Sequence, residues 1–269
     1  MTVIQPYWSH WVDLSSKPLR PPAGAGLYRV RAADRRGLVY LGQTGRSIRE
    51  RLQALARGVY GEAPPFNDPH TAAPGLWAWR VEEGLRYSAS WAVLDVDRAH
   101  RECLEDACLF QQRSEFGESA LCNHGRFHSR WTRPSNRGAG RGMERLPEVE
   151  FNLASGASLP PPTKGGHPTD RDWLGLSWSE PAADPSSVPK CPGVYRLCMA
   201  SEVVYLGQSK QLGSRLASHA RRHGDLLRFS WVRMDGALEH HLRERETDLI
   251  GAAYLALGSP PRLQYAGAQ

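Results

Sequence analysis

Five residues of kinds that can work on an anionic ester occur twice in this 269-residue chain, in the same order: Tyr28, Tyr40, Arg51, Glu105 and Asn123, then Tyr195, Tyr205, Arg215, Glu246 and, in the asparagine's place, Gln264. The spacings agree as well. Arg51 lies 11 residues past Tyr40 and Arg215 lies 10 past Tyr205, while each glutamate precedes its amide residue by 18. An arginine stays charged at all relevant pH and offers a planar fork to a phosphate. A tyrosine, with an intrinsic pKa of about 10, needs a metal or another cation nearby to act as a base. One glutamate is too few ligands for an all-protein metal cage but suits Mg²⁺, which keeps several waters and takes phosphate oxygens. Such residues answer the difficulty of a phosphodiester, whose anionic oxygens repel a nucleophile and whose alkoxide leaves poorly. A metal neutralises charge, a base deprotonates water and a fixed cation stabilises the transition state. Taken singly, each residue has a plainer reading: the tyrosines as hairpin core residues with paired hydroxyls, Glu105 as a solvated helix residue. Recurrence at matching distance is what favours chemistry.

The elements that must position these residues also repeat. GLYRVRAADRRGLVYLGQT, from Gly26 to Thr44, and PGVYRLCMASEVVYLGQS, from Pro192 to Ser209, each read as an apolar strand, a polar turn and a second strand ending in Tyr-Leu-Gly-Gln, the pattern of an antiparallel hairpin. Amphipathic helices follow both. Ser47 and Glu50 form a capping box at the start of the first, which runs to about Arg57 with Ile48, Leu52 and Leu55 on its buried stripe. A later helix, ended by Gly117, carries Glu105 beside an apolar face of Leu104, Cys108 and Leu109; its counterpart, Leu238 to Leu257, carries Glu246. Strands are expected near Leu76 to Val81, Ser88 to Val93 and Leu226 to Met234. Trp11 and Trp178 each stand 17 residues before the first tyrosine of their copy. Two homologous domains in one chain follow.

GLY with YLG, and GVY with YLG, resemble the paired strand motifs of the GIY-YIG nucleases, and both copies together cover most of the chain. The resemblance implies two α/β (α+β) domains, each a small, mostly antiparallel sheet flanked by helices. It implies Glu105 and Glu246 as ligands of Mg²⁺ or another divalent cation such as Mn²⁺. It makes Arg51 and Arg215 phosphate and transition-state stabilisers, and Tyr28, Tyr40, Tyr195 and Tyr205 the groups that orient or deprotonate water. Asn123 matches the family's late asparagine. Each copy departs from the pattern once. His219 stands four residues after Arg215, where the family often has His or Tyr, but the first copy has Leu55 there; the second copy has Gln264 for the asparagine. His70 and Tyr60 are candidates to replace the group missing from the first copy, and Gln264 can make the same amide hydrogen bonds.

Charge is concentrated. The chain has a net charge of +6 and a pI near 9.2, and HGRFHSRWTRPSNRGAGRGMER, from His124 to Arg145, holds six arginines against one glutamate. Arg126, Arg130, Arg133, Arg137 and Arg141 interleave with Phe127 and Trp131, a composition suited to tracking phosphates and stacking on bases, or else a flexible basic linker. The Pro-rich stretch GVYGEAPPFNDPHTAAPGLW cannot be helix or central strand, which makes Asn67, Asp68 and His70 substrate-contact candidates unless the stretch is a plain surface excursion. Residues 1–25 read as a lead-in arm whose Trp8 and Trp11 pack on the first domain. Residues 1–145 are expected to form the first domain with its loop and basic arm, 146–172 a linker and 173–269 a second, minimal domain. Five cysteines without a close pair argue against a disulfide framework or a zinc site. No run approaches a membrane span and no secretory signal is visible, so a cytoplasmic location is expected. The function expected is a Mg²⁺-dependent endonuclease hydrolysing duplex DNA, of a restriction or defence type, its tandem copies acting as an internal pseudo-dimer that allows a monomer to work. The alternative is a nucleic-acid-binding protein in which one or both copies are inactive.

Overall fold

The computed structural model describes residues 4–65, 72–134, 142–163, 165–224 and 227–266; His70, Arg137 and Arg141, with Asn67 and Asp68, lie outside them. Both hairpins form where the alternation of apolar residues and the polar turns place them. β2 (Gly26–Ala32) pairs antiparallel with β3 (Tyr40–Thr44), and β5 (Gly193–Met199) with β6 (Glu202–Ser209). A third strand flanks each on the other side, β4 (Tyr87–Val93) beside β2 and β7 (Leu227–Arg233) beside β5. A short β1 (Val12–Asp13) closes the first sheet, giving the orders β1-β4-β2-β3 and β6-β5-β7. With helices α1 (Ile48–Val59), α2 (Ala73–Glu83), α3 (Arg98–Phe116), α4 (Leu212–His223) and α5 (Glu239–Leu257), the fold is the expected mixture of antiparallel sheets and helices.

The tripeptides have steric causes. Tyr28 pairs across the hairpin with Gly42, and Tyr195 with Gly207. A Cβ on Gly42 would lie 2.7 Å from the Tyr40 hydroxyl and 2.8 Å from that of Tyr28, and one on Gly207 would lie 2.7 Å from the rings of Tyr195 and Tyr205. The glycine is thus the floor on which two tyrosines rest, an aromatic side chain covering the exposed backbone of its cross-strand partner. The opening glycines answer to a neighbouring strand: a Cβ would lie 2.0 Å from the Ala92 carbonyl at Gly26 and 2.2 Å from that of Val232 at Gly193.

Contacts cluster the chain into two units, one holding Gln5–Asp97 and Ser119–Ala157, the other Arg98–Glu118 and Ser158–Gln269. In the first, α1 buries Ile48, Leu52, Leu55 and Val59 against β2 and β3, at about 1.5–3 kcal/mol per fully buried aliphatic side chain. Ser47 accepts the Glu50 N–H at 3.2 Å, as its cap position requires. The strand expected near Leu76 to Val81 is instead the middle of α2: Pro74 fits the first turn and Gly84, at φ 70°, ends it, while Tyr87 donates to the Leu76 carbonyl at 2.8 Å.

In the second unit α4 repeats the α1 stripe with Leu212, Leu216 and His219. α3 groups here and crosses α5 so closely that a Cβ on Gly251 would lie 2.5 Å from the Asp106 carbonyl oxygen. Fully buried Arg113 of α3 meets Asp248 at 2.8 Å and Glu244 at 3.6 Å, both on α5, and the Leu159 N–H donates to Glu244 at 2.9 Å.

The lead-in segments repeat too, in a register the tyrosine spacing does not give. Ser9 N–H donates to the Trp91 carbonyl at 2.8 Å and Ser9 Oγ accepts the Trp91 N–H at 3.1 Å. Ser179 does both with Trp231, at 2.9 and 3.1 Å. Trp178 therefore corresponds to Trp8, not to Trp11.

Candidate functional site

In the second copy α4 lies beside the hairpin, and its polar edge meets the tyrosines. Arg215 Nε donates to the Tyr195 hydroxyl at 3.0 Å, and the same hydroxyl pairs with His219 Nε2 at 3.1 Å. Burial, with Arg215, His223 and Arg222 nearby, lowers the His219 pKa to about 4, so the imidazole is neutral near pH 7. The Tyr195 oxygen accepts from Arg215, and the direction of its bond with His219 Nε2 is set by the tautomer of the neutral imidazole. The Tyr195 ring is completely buried, and burial raises its pKa although Arg215 opposes the shift. Its hydrogen bond in turn holds the Arg215 guanidinium even more firmly protonated than usual.

These groups back a cleft of about 1100 Å³ lined by Tyr205, Arg215, His219, Glu246, Arg262 and Gln264, among others. Tyr195 does not line it, which separates the tyrosines: Tyr205 faces the cleft and Tyr195 holds Arg215 and His219 from behind. α5 brings in Glu246, whose Oε1 accepts the Gln208 N–H at 3.2 Å. Burial pushes the Glu246 pKa up to about 7, against the Gln208 hydrogen bond and the charges of Arg243 and Arg215. Sequence reasoning missed Arg222, His223 and Arg262, which also line the cleft, the two arginines adding positive charge; only the basic run at the end of α4 and the arginine after Pro261 marked them.

The first copy keeps the tyrosines and has a leucine where the second has His219. Tyr28 and Tyr40 are buried with ring centroids 6.1 Å apart, Arg51 stands on α1 as Arg215 does on α4, and Leu55, fully buried, occupies the position of His219. Tyr60 packs against the same core with Arg80 over its ring at 5.7 Å. Glu105 lies on α3, in the other compact unit, its pKa raised well above the usual carboxylate range by burial and by Asp106 and Glu102 beside it.

Both amide residues serve the edge of the YLG strand. Asn123 Oδ1 accepts the Leu41 N–H at 2.9 Å and its Nδ2 donates to the Leu41 carbonyl at 2.8 Å. Gln264 Oε1 accepts the Leu206 N–H at 3.0 Å. The preceding residues extend the match, Cys122 N–H to the Val39 carbonyl at 2.9 Å and Leu263 N–H to that of Val204 at 2.8 Å. Each amide therefore pairs backbone groups that an edge strand would otherwise leave open.

The arginine-rich arm is folded rather than loose among its described residues. Phe127 and Trp131, expected to stack on bases, are buried with Trp77, Ala78 and Met143. Their apolar area is worth more inside this small core than against solvent. Trp131 Nε1 and Arg145 Nε both donate to Glu82 at 2.8 Å, and Arg130 donates to the carbonyls of Glu148 at 3.0 Å and Leu146 at 3.3 Å. Arg126 is half-buried and Arg133 exposed.

Among the described residues there is no cluster of three or more His, Cys, Asp or Glu able to hold a metal ion. Glu246, anchored through one carboxylate oxygen at an open cleft, suits a cation that draws most of its ligands from water and phosphate. No helix among the described residues is long and apolar enough to cross a membrane. Comparisons with protein-family models, with curated proteins and with solved structures find no match for the chain.

Proposed function

We propose that the chain is a Mg²⁺- or Mn²⁺-dependent DNA endonuclease of the GIY-YIG kind, hydrolysing phosphodiesters with water, and that its chemistry is centred on the second copy. The observation that carries this reading is that Arg215 and His219, both bonded to Tyr195 behind them, line one cleft with Glu246. Arg215 is held through Nε by Tyr195 and is also bonded by Tyr205, and its guanidinium lines the cleft where a phosphate can meet it. Tyr195, itself bonded to His219, holds that orientation, so the guanidinium is fixed before substrate arrives. Arg222 and Arg262 extend the positive lining along which a phosphodiester backbone can lie. Tyr205, on the cleft side, orients the attacking water. Glu246 offers its second carboxylate oxygen to the cation, and a bound divalent ion would supply charge neutralisation at the phosphate.

Leu55, standing where His219 stands, favours a second reading for the first copy alone: it grips nucleic acid while the second copy cuts. A restriction or defence enzyme acting as an internal pseudo-dimer needs both to cut. Supercoiled plasmid incubated with Mg²⁺ separates the cases. Linear product from the parent, and nicked circles from both Glu105→Gln and Glu246→Gln, support two cutting copies. Unchanged product from Glu105→Gln with none from Glu246→Gln makes the first copy a gripping domain, and cleavage that survives both changes together ends the nuclease reading.

A further inference from the structure

The face of the first sheet opposite its core carries an alternating ladder of indoles and guanidiniums. The Arg29 Cζ stands 4.2 Å from the Trp8 ring centroid and 4.7 Å from that of Trp11, and Arg31 Cζ stands 4.3 Å from Trp11. Register explains the order. Arg29 and Arg31 pair with Ser90 and Ser88 on β4 and so share one face, while Tyr28 and Val30 turn to the core. The Ser9–Trp91 hydrogen bonds fix the arm so that Trp8 and Trp11 fall on the arginines. Trp8, Trp11 and Arg29 are half-buried, Arg31 is exposed, and neighbouring Tyr7 is 93% exposed.

The second copy shows what such a face accepts. Arg196, which corresponds to Arg29, lies 4.5 Å from the Trp178 centroid and donates to the carbonyls of Pro168 at 2.6 Å and Asp170 at 2.9 Å. Trp173 stacks on Trp178, centroids 6.0 Å apart and planes 21° from parallel, and both are buried. Here the chain itself supplies a flat ring for the indole and oxygen acceptors for the guanidinium. In the first copy Arg29 Nε reaches the Ser90 hydroxyl at 3.5 Å, Trp8 and Arg29 are half-buried rather than buried, and a second tryptophan, a second arginine and a tyrosine are added.

We infer that Tyr7, Trp8, Trp11, Arg29 and Arg31 form a stacking platform for single-stranded nucleic acid. A single strand repeats the two features the covered face receives, a planar ring and an oxygen acceptor, and its acceptors carry the negative charge that two arginines complement. A duplex keeps its base faces stacked inside and cannot offer them. This surface is independent of the cutting cleft, so it stands whether or not the second copy is a nuclease.

The test is binding of the full chain, in EDTA, to an oligothymidylate of about 16 nucleotides, the upper end of a single-module site, followed by tryptophan fluorescence. The parent should bind with quenching and prefer the single strand to a duplex of equal length. Tyr7→Ala with Arg31→Gln, exposed positions whose change leaves folding intact, should weaken binding about fivefold or more. Trp11→Ala should weaken it further, and Trp11→Phe should recover most of the loss. Parental affinity in the Tyr7→Ala, Arg31→Gln protein, or no binding by the parent, overturns the platform. Plasmid cleavage by the same proteins in Mg²⁺ is a separate readout: its loss through Glu246→Gln with oligonucleotide binding retained concerns the cleft alone.

Discussion

The two copies share a hairpin, a glycine floor beneath two tyrosines and a first helix with one buried stripe, yet they differ at the fourth and fifth points where that scaffold could do something. On α1 the stripe ends in Leu55 and Val59; on α4 the same places hold His219 and His223. On the back of the sheet the tryptophan–arginine pair is open in the first copy and sealed by residues 168–178 in the second. The difference teaches that packing demands and chemical demands fall on separable residues. A leucine in place of a histidine leaves the helix seated as before, while removing the ring nitrogen that bonds the buried tyrosine of the second copy.

The sharpest way to break the comparison is at the α3–α5 clasp. Arg113→Ala removes the cation set between buried Glu244 and Asp248, leaving Asp248 with Arg245 at 3.5 Å, and should cost about 3–5 kcal/mol. If α3 is part of the second unit, hydrogen exchange will quicken in β5, β6 and β7 and stay unchanged in β2, β3 and β4; equal loss in both sheets would contradict the grouping. Next comes catalysis. Glu246→Gln should lower plasmid cleavage by about 10²–10³-fold, the scale on which one transition-state electrostatic partner acts, and Glu105→Gln measured beside it reports how unequal the copies are.

His219 gives a smaller, pH-dependent effect. Its folded pKa is depressed to about 4 from an ordinary 6.5, so its contribution to stability is present above about pH 6.5 and is lost as pH falls toward 4. Between pH 7 and pH 4.5 the parent should lose about 1 kcal/mol or more that His219→Leu does not lose, read from urea midpoints at both pH values. The mildest test concerns caps. Ser47→Ala should cost about 1 kcal/mol, while α4 has no side-chain cap to lose at Gln211, so Gln211→Ala should change the unfolding midpoint little.

Much of the scaffold was legible because its signals are local. The hairpins, the Ser47 cap, the Ile48-Leu52-Leu55 stripe and the glycines ending α3 and α5 each declare themselves within a few residues. α2 was not, because the apolar run from Leu76 to Val81 is short enough to suit a strand, and only Pro74 and Gly84 mark a helix. Phe127 and Trp131 were misjudged as stacking groups since the arginines around them are visible in sequence and the core formed with Trp77 is not. In the site, residue types and spacing named Arg215, His219 and Glu246. The split between a cleft-facing Tyr205 and a buried Tyr195 depends on depth, which no spacing encodes. The Trp8–Ser9 register was present as repeated Trp-Ser, Tyr-Arg and Ser-Trp dipeptides, but the equal tyrosine distances of Trp11 and Trp178 obscured it.

The bond between Arg113 and Asp248 joins residues 135 apart in sequence. During synthesis α3 leaves the ribosome long before α5 exists, and at about 5–20 residues per second the wait is roughly 7–27 s. Through that interval the helix has an arginine at its apolar surface and no acid to meet it. The second unit therefore cannot close from its N-terminal end onward. It closes only once α5 has been made, and a chain stopped before Asp248 would carry α3 as an unclaimed helix, open to chaperones and proteases.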